Sequence, residues 1–142
     1  MYGALDISTS GMLAQRARMT AIAANIANRN TIIDAEGNVN PYRARRVNFA
    51  PGDPNAKTQS GKELGVHVAA IEIDQGEFNY RYDPSSPYAL KTGKWQGHVP
   101  EPNVNPVIEQ LNALEASRAY EANVVAAETT KQMMAQALRL LA

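Results

Sequence analysis

The alternation of apolar and polar positions is most regular at the C-terminal end of the chain, from Val104 to Ala142. Asn105 is suited to the N-cap of a helix because its side chain can accept a hydrogen bond from an unpaired backbone N–H. Pro106 suits the first helical position, where its missing N–H costs nothing. Neither Gly nor Pro occurs after Pro106, so the pattern predicts one helix of about 36 residues, roughly 55 Å long.

This predicted helix carries two apolar faces, whose members recur mostly at spacings of three and four residues. A helix on the surface of a small domain needs only one such face. The second face therefore predicts contacts with several neighbouring helices, more than this chain supplies by itself. One face consists of Ala113, Ala116, Tyr120, Val124, Ala127, Met134, Leu138 and Leu141, and the other of Val107, Leu111, Leu114, Ala122, Val125, Ala126, Met133 and Leu140.

Residues 4–28 form a second predicted helix, which ends at a cluster of asparagines. Gly11 is expected to weaken this helix by about 1 kcal/mol relative to alanine, so the turns before it are expected to fray or bend. Asn25 lies beside the apolar Ile26 and has two interpretations: an amide that faces solvent, or an amide hydrogen bonded to neighbouring backbone. The apolar positions form two stripes, one of Leu5, Thr9, Met12, Met19, Ile22, Ala23 and Ile26, and one of Leu13, Ala17, Thr20, Ala24 and Ala27.

The middle of the chain, residues 31–103, has a different character because it contains seven of the eight prolines and most of the glycines. Alternating side chains there predict short strands, and turn-forming residues separate them. The predicted strands are Tyr42–Phe49, Val66–Ile73 and Glu77–Tyr82, with a turn at Asp34–Asn38, a loop at Thr58–Gly65 and an extended segment over residues 83–103.

The predicted fold is therefore mainly α with a small β-rich insert. The N-terminal and C-terminal helices are expected to pair as a helical hairpin or coiled coil, and an extended linker precedes the long C-terminal helix. The predicted segments are the N-terminal helix at 1–30, the insert at 31–82, the linker at 83–103 and the C-terminal helix at 104–142.

The charge balance favours neither nucleic acid nor anionic lipid, since 14 basic and 14 acidic side chains give no net charge. Arg43, Arg45 and Arg46 form the one dense basic group, but they lack the basic background of a nucleic-acid site. No uncharged run near the N-terminus approaches the roughly 20 apolar residues of a membrane span. No basic stretch followed by an apolar run resembles a secretory signal, so any export is expected to use a route without a cleaved leader.

Candidate chemistry is sparse. His67 and His98 have no metal-ligand spacing to another His, Asp or Glu, and there is no phosphate loop or dinucleotide fingerprint. We therefore expect no catalytic site, no metal and no cofactor. Trp95, Tyr80, Tyr82 and Tyr88 lie in or near the linker, and these aromatic side chains either anchor the linker on another surface or pack on the insert itself.

The two terminal segments resemble the signatures of bacterial flagellar rod and hook proteins. The length also agrees with the short, proximal rod member of that family, because the distal rod and hook proteins carry larger inserts. The resemblance spans nearly the whole chain. Its terminal runs are Ser10–Met19 with Ala24–Asn28 at one end and Asn112–Asn123 at the other, and its central runs are Pro41–Phe49, Tyr82–Pro87 and Pro102–Asn105.

The resemblance implies a structural subunit and not an enzyme. Members of the family pack their terminal helices into a helical tube that spans the periplasm, with the insert toward the outside, and the tube transmits torque and lines the export channel. The implied route to the basal body is the flagellar type III export gate, without a cleaved signal peptide. The implied neighbours are further copies of the chain, the rod proteins FlgB, FlgF and FlgG, and FliE, with no nucleic acid and no membrane insertion.

The assembly interface is expected to involve apolar positions of both terminal helices. Polar side chains at positions that match the family signature are expected to fix the register between helices, which apolar contact alone would leave free to slide. The termini of a free monomer are expected to be largely disordered. The predicted interface residues are Leu5, Met12, Leu13, Met19, Ile22, Asn25, Ile26, Asn28, Leu111, Leu114, Arg118, Tyr120, Asn123, Val124, Met134, Leu138 and Leu141.

Two other interpretations stay open on the sequence. Another rod protein such as FlgB is the nearest alternative within the same class. A coiled-coil adaptor outside the flagellum is the alternative of a different class, and it would form a discrete oligomer of defined, small stoichiometry.

Overall fold

A computed structural model describes residues 2–141 of the chain. About half of the chain is helical. The two long helices are at the ends of the chain, and an insert built from short strands lies between them in the sequence. In chain order the elements are α1 (Tyr2–Ala27), β1 (Arg45–Pro51), α2 (Gln59–Leu64), β2 (Val66–Ile73), β3 (Asn79–Tyr82), β4 (His98–Glu101) and α3 (Pro106–Leu141).

Helix α3 begins where the sequence predicted. Pro106 is its first residue, and the helix continues unbroken for 36 residues. The Asn105 side-chain oxygen accepts hydrogen bonds from the backbone N–H groups of Val107 at 3.0 Å and Ile108 at 3.4 Å. Asn105 thus satisfies two of the N–H groups that lack a partner in the first turn, which confirms the predicted N-cap.

Helix α1 is continuous from Tyr2 to Ala27, so the break or fraying expected before Gly11 does not occur. Helices α1 and α3 lie side by side and antiparallel, with Gly11 beside Asn123 and Arg18 paired with Glu115 at 2.8 Å. The terminal helices and the antiparallel insert confirm the coarse fold class. Regular coiled-coil packing between the two helices stays a prediction.

The insert contains two separate antiparallel sheets of two strands each. In the first sheet, β1 pairs with β2 from Arg45 opposite Ile73 to Pro51 opposite Val66, with an irregularity between Asn48 and Phe49. In the second sheet, β3 pairs with β4. Two-stranded sheets are marginal on their own in water, so both depend on what packs against them.

Strand β4 lies inside the segment that was expected to be an extended linker. The sequence gives little sign of it because Pro100 lies within the strand and Pro102 follows it, and proline weakens a strand prediction. Strand β4 pairs with β3 alone, which leaves one edge of β4 outside the ladder, and proline is tolerated in such edge strands. Val99 within it is fully buried, so the segment returns to the insert before α3 begins.

Helix α2 replaces the loop that was predicted over Thr58–Gly65, and that prediction was wrong. Thr58 caps the helix, since its hydroxyl oxygen accepts a hydrogen bond from the Gly61 N–H at 3.1 Å. A carboxylate oxygen of Asp6, in α1, accepts hydrogen bonds from the Thr58 N–H at 3.0 Å and from its hydroxyl at 2.8 Å. A residue 52 positions away therefore stabilises the cap.

The core of the chain is thin. Val99 and Asn25 are the largest side chains that are fully buried, and most buried apolar positions are alanine or valine. Among the described residues, no helix combines the length and the apolar character needed to cross a bilayer. The buried apolar positions are Ala14, Ala21, Ile22, Ala44, Val99, Val104 and Ala116.

Candidate assembly interface

One of the two predicted apolar faces of α3 packs against α1. Ala116 is fully buried there, and Tyr120, Asn123 and Val124 are partly buried. Alanine at the centre of this face lets the two helix backbones approach closely. The predicted interface residues Tyr120, Asn123 and Val124 therefore already have contacts within the chain.

The other apolar face of α3, which we call the outer face, is exposed. Leu111 is 62% exposed, Leu114 is 49% exposed and Val125 is 60% exposed. Large apolar side chains repeated along one helix side form a patch that marks an interaction site. The outer face consists of Val107, Leu111, Leu114, Ala122, Val125, Ala126, Met133 and Leu140, all of them exposed.

The C-terminal turns of α3 extend past the end of α1. The two helices are antiparallel with Gly11 beside Asn123, and α1 begins at Tyr2, so the last turns of α3 have no α1 beside them. Thr130 is the last buried residue of α3. Leu138 and Leu141, two of the predicted interface residues, are largely exposed in this projecting end, and Met134 is partly buried.

Helix α1 buries a different face from the one that its apolar pattern predicts. Its buried positions are mostly small or polar, because α1 is enclosed by α3 on one side and by the insert on the other. Gly11 is buried against α3, where an added Cβ atom would lie 2.7 Å from the Asn123 side-chain oxygen. The buried positions of α1 are Ser8, Ser10, Gly11, Ala14, Ala21, Ile22 and Asn25.

The predicted interface residues of α1 divide into three groups by exposure. Ile22 and Asn25 are buried within the chain. Leu13 is exposed, at 60%. The remaining predicted positions are partly buried and keep some surface for contacts outside the chain; they are Leu5, Met12, Met19, Ile26 and Asn28.

Asn25 is the best-connected polar side chain of the structure. It is 1% exposed, and it makes four hydrogen bonds. Its oxygen accepts from the Arg45 N–H at 2.8 Å and from the Tyr42 hydroxyl at 3.0 Å, and its amide donates to the Arg45 carbonyl at 2.9 Å and to the Glu109 carboxylate at 3.1 Å. The second interpretation of Asn25, an amide bonded to backbone, is therefore confirmed.

These bonds connect three elements. Asn25 belongs to α1, Arg45 begins β1 and Glu109 lies in the first turn of α3. Burial raises the pKa of the Tyr42 hydroxyl, the Arg45 charge lowers it and the Glu109 charge raises it. The amide thus fixes where the insert meets the two helices, a role that no periodic pattern in the sequence reveals.

Ion pairs near this junction are exposed or partly exposed. Arg18 of α1 pairs with Glu115 of α3 at 2.8 Å, and Arg46 pairs with Asp74 at 2.6 Å. Such pairs contribute little to stability in water. Arg118, a predicted interface residue, is exposed on α3, so its side chain is accessible to a contact from another subunit.

A groove of about 450 Å³ lies between α1, β1 and α3. Ile22, Phe49 and Ile108 give it apolar walls, while Arg18 and Glu109 place charge in its lining. It is shallow and open, so it suits a side chain of another protein segment better than an enclosed small molecule. Within residues 2–141, no group of three or more His, Asp and Glu side chains is placed to hold a metal ion.

The aromatic side chains of the linker pack on the insert, which decides between their two interpretations. Trp95 stacks on Tyr80, with ring centres 4.5 Å apart and planes 6° apart. His98 lies edge-on to both Trp95 and Tyr82. Trp95 thus covers part of the β3–β4 sheet. Tyr88 is 39% exposed.

Sequence comparisons agree with the positions of these helices. The family described as flagella basal body rod protein matches residues 5–32, within α1 and the turn after it. The family described as flagellar basal body rod FlgEFG protein C-terminal matches residues 96–140, which include β4 and α3.

Several curated relatives bear the name flagellar basal-body rod protein FlgC. The relative from Borreliella burgdorferi is 37% identical, over 99% of this chain and 97% of its own length. The relative from Bacillus subtilis is 32% identical, over 98% of this chain and 97% of its own length. The relative from Salmonella typhimurium is 35% identical, over 95% of this chain and 93% of its own length.

Paired terminal helices around a small insert, together with these matches, define a structural subunit of the flagellar basal-body rod. Within that class, the chain belongs to the FlgC family. The resemblance found in the terminal and central runs of the sequence is thereby confirmed.

Proposed function

We propose that the chain is a proximal rod subunit that assembles helically through its two terminal helices. The observation that carries the proposal is the outer face of α3, which the chain leaves exposed over most of the helix length. An exposed apolar stripe of this kind needs a covering surface, and neighbouring subunits in a rod supply one. The projecting end of α3 extends the same surface beyond α1.

The energetics favour assembly with several neighbours over a simple dimer. Burying one exposed Leu or Val side chain completely gives about 1.5–3 kcal/mol, and the outer-face residues are already partly covered. The whole face therefore gives on the order of 10 kcal/mol, whereas association costs about 4–15 kcal/mol. One contact of this type is marginal, and a lattice in which each subunit touches several others is stable.

Head-to-tail contacts that do not close into a ring produce helical filaments. The projecting end of one subunit and the exposed helix faces of the next are different surfaces, so their contact has this character. The proposed neighbours are other copies of the chain, the rod proteins FlgB, FlgF and FlgG, and FliE. In this arrangement the helices line the export channel and transmit torque, and the chain is not an enzyme.

The proposed location is the periplasmic part of the basal body. The chain is proposed to reach it through the flagellar export gate, without cleavage of a signal peptide. Neither proposal depends on the insert.

Mass spectrometry of purified hook–basal bodies tests the proposal. We expect a few copies of the chain in each basal body, in a fixed ratio to the other rod proteins. Cross-linking from cysteines placed at Leu111 and Leu138 is expected to capture rod proteins. Absence of the chain from intact basal bodies would refute the rod function and favour the adaptor alternative.

A further inference from the structure

Three polar side chains of α1 bind backbone N–H groups where three elements of the insert begin. Asp6 accepts from the N–H of Thr58, the N-cap of α2, at 3.0 Å. Ser10 accepts from the N–H of Val66, the first residue of β2, at 3.1 Å. Asn25 accepts from the N–H of Arg45, the first residue of β1, at 2.8 Å, and donates to its carbonyl. Each of these α1 side chains thereby accepts a hydrogen bond from the backbone N–H at the start of one insert element, or from its cap in the case of α2.

The rest of the α1 surface that contacts the insert carries small side chains. Ala14 and Ala21 are buried between Ser10 and Asn25, and their small side chains allow the strands to lie close to the helix. Ser10 and Asn25 are themselves almost completely buried. Buried polar groups need hydrogen-bond partners, and half of the hydrogen bonds of Ser10 and Asn25 are made with backbone atoms of the insert.

The β1–β2 sheet has little else to hold it. It has only two strands, and Ile71 and Ile73 on β2 are more than half exposed. A two-stranded sheet without a packed face is marginal in water. Helix α1 is therefore the element that makes this part of the insert stable.

We propose that α1 acts as an intramolecular template, so that β1, α2 and β2 become ordered only when α1 is helical. The helix sets the distances between Asp6, Ser10 and Asn25, and an extended chain would separate the three groups too far to bind these N–H groups together. The Asn25 bond to Glu109 adds the start of α3 to the same unit. The insert thus takes its structure in step with the helix that enters the rod, and a chain with an unfolded α1 carries an unfolded β1–β2 sheet.

Residue-resolved amide hydrogen exchange on the full chain tests the proposal. The variants are Ser10→Ala, which removes one hydrogen bond to the insert, and Asn25→Ala, which removes four side-chain hydrogen bonds. The matched control for Ser10→Ala is Thr9→Ala, because the Thr9 hydroxyl bonds only to the Leu5 carbonyl of its own helix. Strands β3 and β4 serve as an internal reference, since no described α1 side chain is hydrogen bonded to them.

We expect Ser10→Ala to speed exchange about tenfold or more throughout the β1–β2 sheet, with α1 helix content by circular dichroism and exchange in β3–β4 unchanged. Asn25→Ala is expected to give the larger acceleration, and Thr9→Ala none. Acceleration confined to the Val66 amide in Ser10→Ala would overturn the proposal, because the sheet would then hold its order alone. Equal acceleration of β1–β2 and β3–β4 in Ser10→Ala would also overturn it, because the effect would be general destabilisation. Because the termini of a free monomer are expected to be largely disordered, the helix content of α1 and the exchange of the β1–β2 amides are first measured together in the unaltered chain. Protected β1–β2 amides beside an unfolded α1 would overturn the proposal, whereas loss of order in both together would support it.

Discussion

Gly11 of α1 packs against Asn123 of α3. Replacing Gly11 with alanine has two opposing effects on the free energy of unfolding. Alanine is about 1 kcal/mol better than glycine inside a helix. However, an added Cβ atom would lie 2.7 Å from the Asn123 side-chain oxygen and 2.9 Å from its carbon and nitrogen. Asn123 would have to move, which threatens its 2.8 Å hydrogen bond to the Ala119 carbonyl. Overpacking of this kind costs about 1–3 kcal/mol, so we expect Gly11→Ala to lower the free energy of unfolding by about 1 kcal/mol.

The same substitution should stabilise the chain once the obstacle is removed. In an Asn123→Ala background the three atoms nearest to the added methyl group are absent, so we expect the helix gain of about 1 kcal/mol to remain. The two substitutions therefore couple by about 1–3 kcal/mol in a double-mutant cycle. Urea unfolding followed by far-UV circular dichroism measures each corner of the cycle.

Thr20→Ala is the control for this cycle. Thr20 is exposed on α1 and its hydroxyl bonds to the Arg16 carbonyl of the same helix, so its replacement touches no residue of α3. Its effect should add to that of Asn123→Ala without coupling. If Gly11→Ala stabilises the chain equally with Asn123 present and absent, the proposed contact between the helices does not exist in solution.

Three further predictions concern other parts of the molecule. Leu114→Asp on the outer face should lower the free energy of unfolding by no more than about 1–2 kcal/mol, because Leu114 is already 49% exposed, but it should abolish incorporation into rods. Asn55→Asp, a charge control in an exposed turn, should preserve motility; normal flagella in the Leu114 variant would contradict the interface. The raised pKa of Tyr42 means that its stabilising contribution is present below its unfolded pKa of about 10 and lost as pH rises through the folded value. Tyr42→Phe should therefore flatten the alkaline loss of stability in urea titrations, and an unchanged loss would assign it to other groups. Tyr80→Ala should redden the fluorescence of Trp95 by uncovering one face of the indole, while Tyr80→Phe should not; identical spectra would argue against the stacked pair.

The sequence predicts the long elements well because they are specified by local signals. Asn105 and Pro106 mark the start of α3, and the absence of Gly and Pro keeps it continuous. The β2 prediction, Val66–Ile73, has the same bounds as the strand. These signals act over a few residues, so they can be recognised from neighbouring positions in the sequence.

The elements that sequence reasoning missed depend on distant residues. The cap of α2 relies on Asp6, and β4 is fixed by pairing with β3 and by the burial of Val99. Gly11 looks like a weak point in a helix when it is considered alone, and its packing role requires knowledge of Asn123. Local sequence could indicate only that Asn25 was unusual, since a polar residue next to Ile26 has no local explanation.

The exposure pattern assigns different roles to the predicted interface residues. Ile22, Asn25 and Asn123 are occupied by contacts within the chain, so substitutions there should first lower monomer stability. Leu111 and Leu114 are exposed on a helix that is already held by its opposite face, so substitutions there should change assembly and leave the monomer intact. A helix with one apolar face packed on α1 and the other left exposed explains why the core is thin. We propose that contacts with other subunits cover the exposed face.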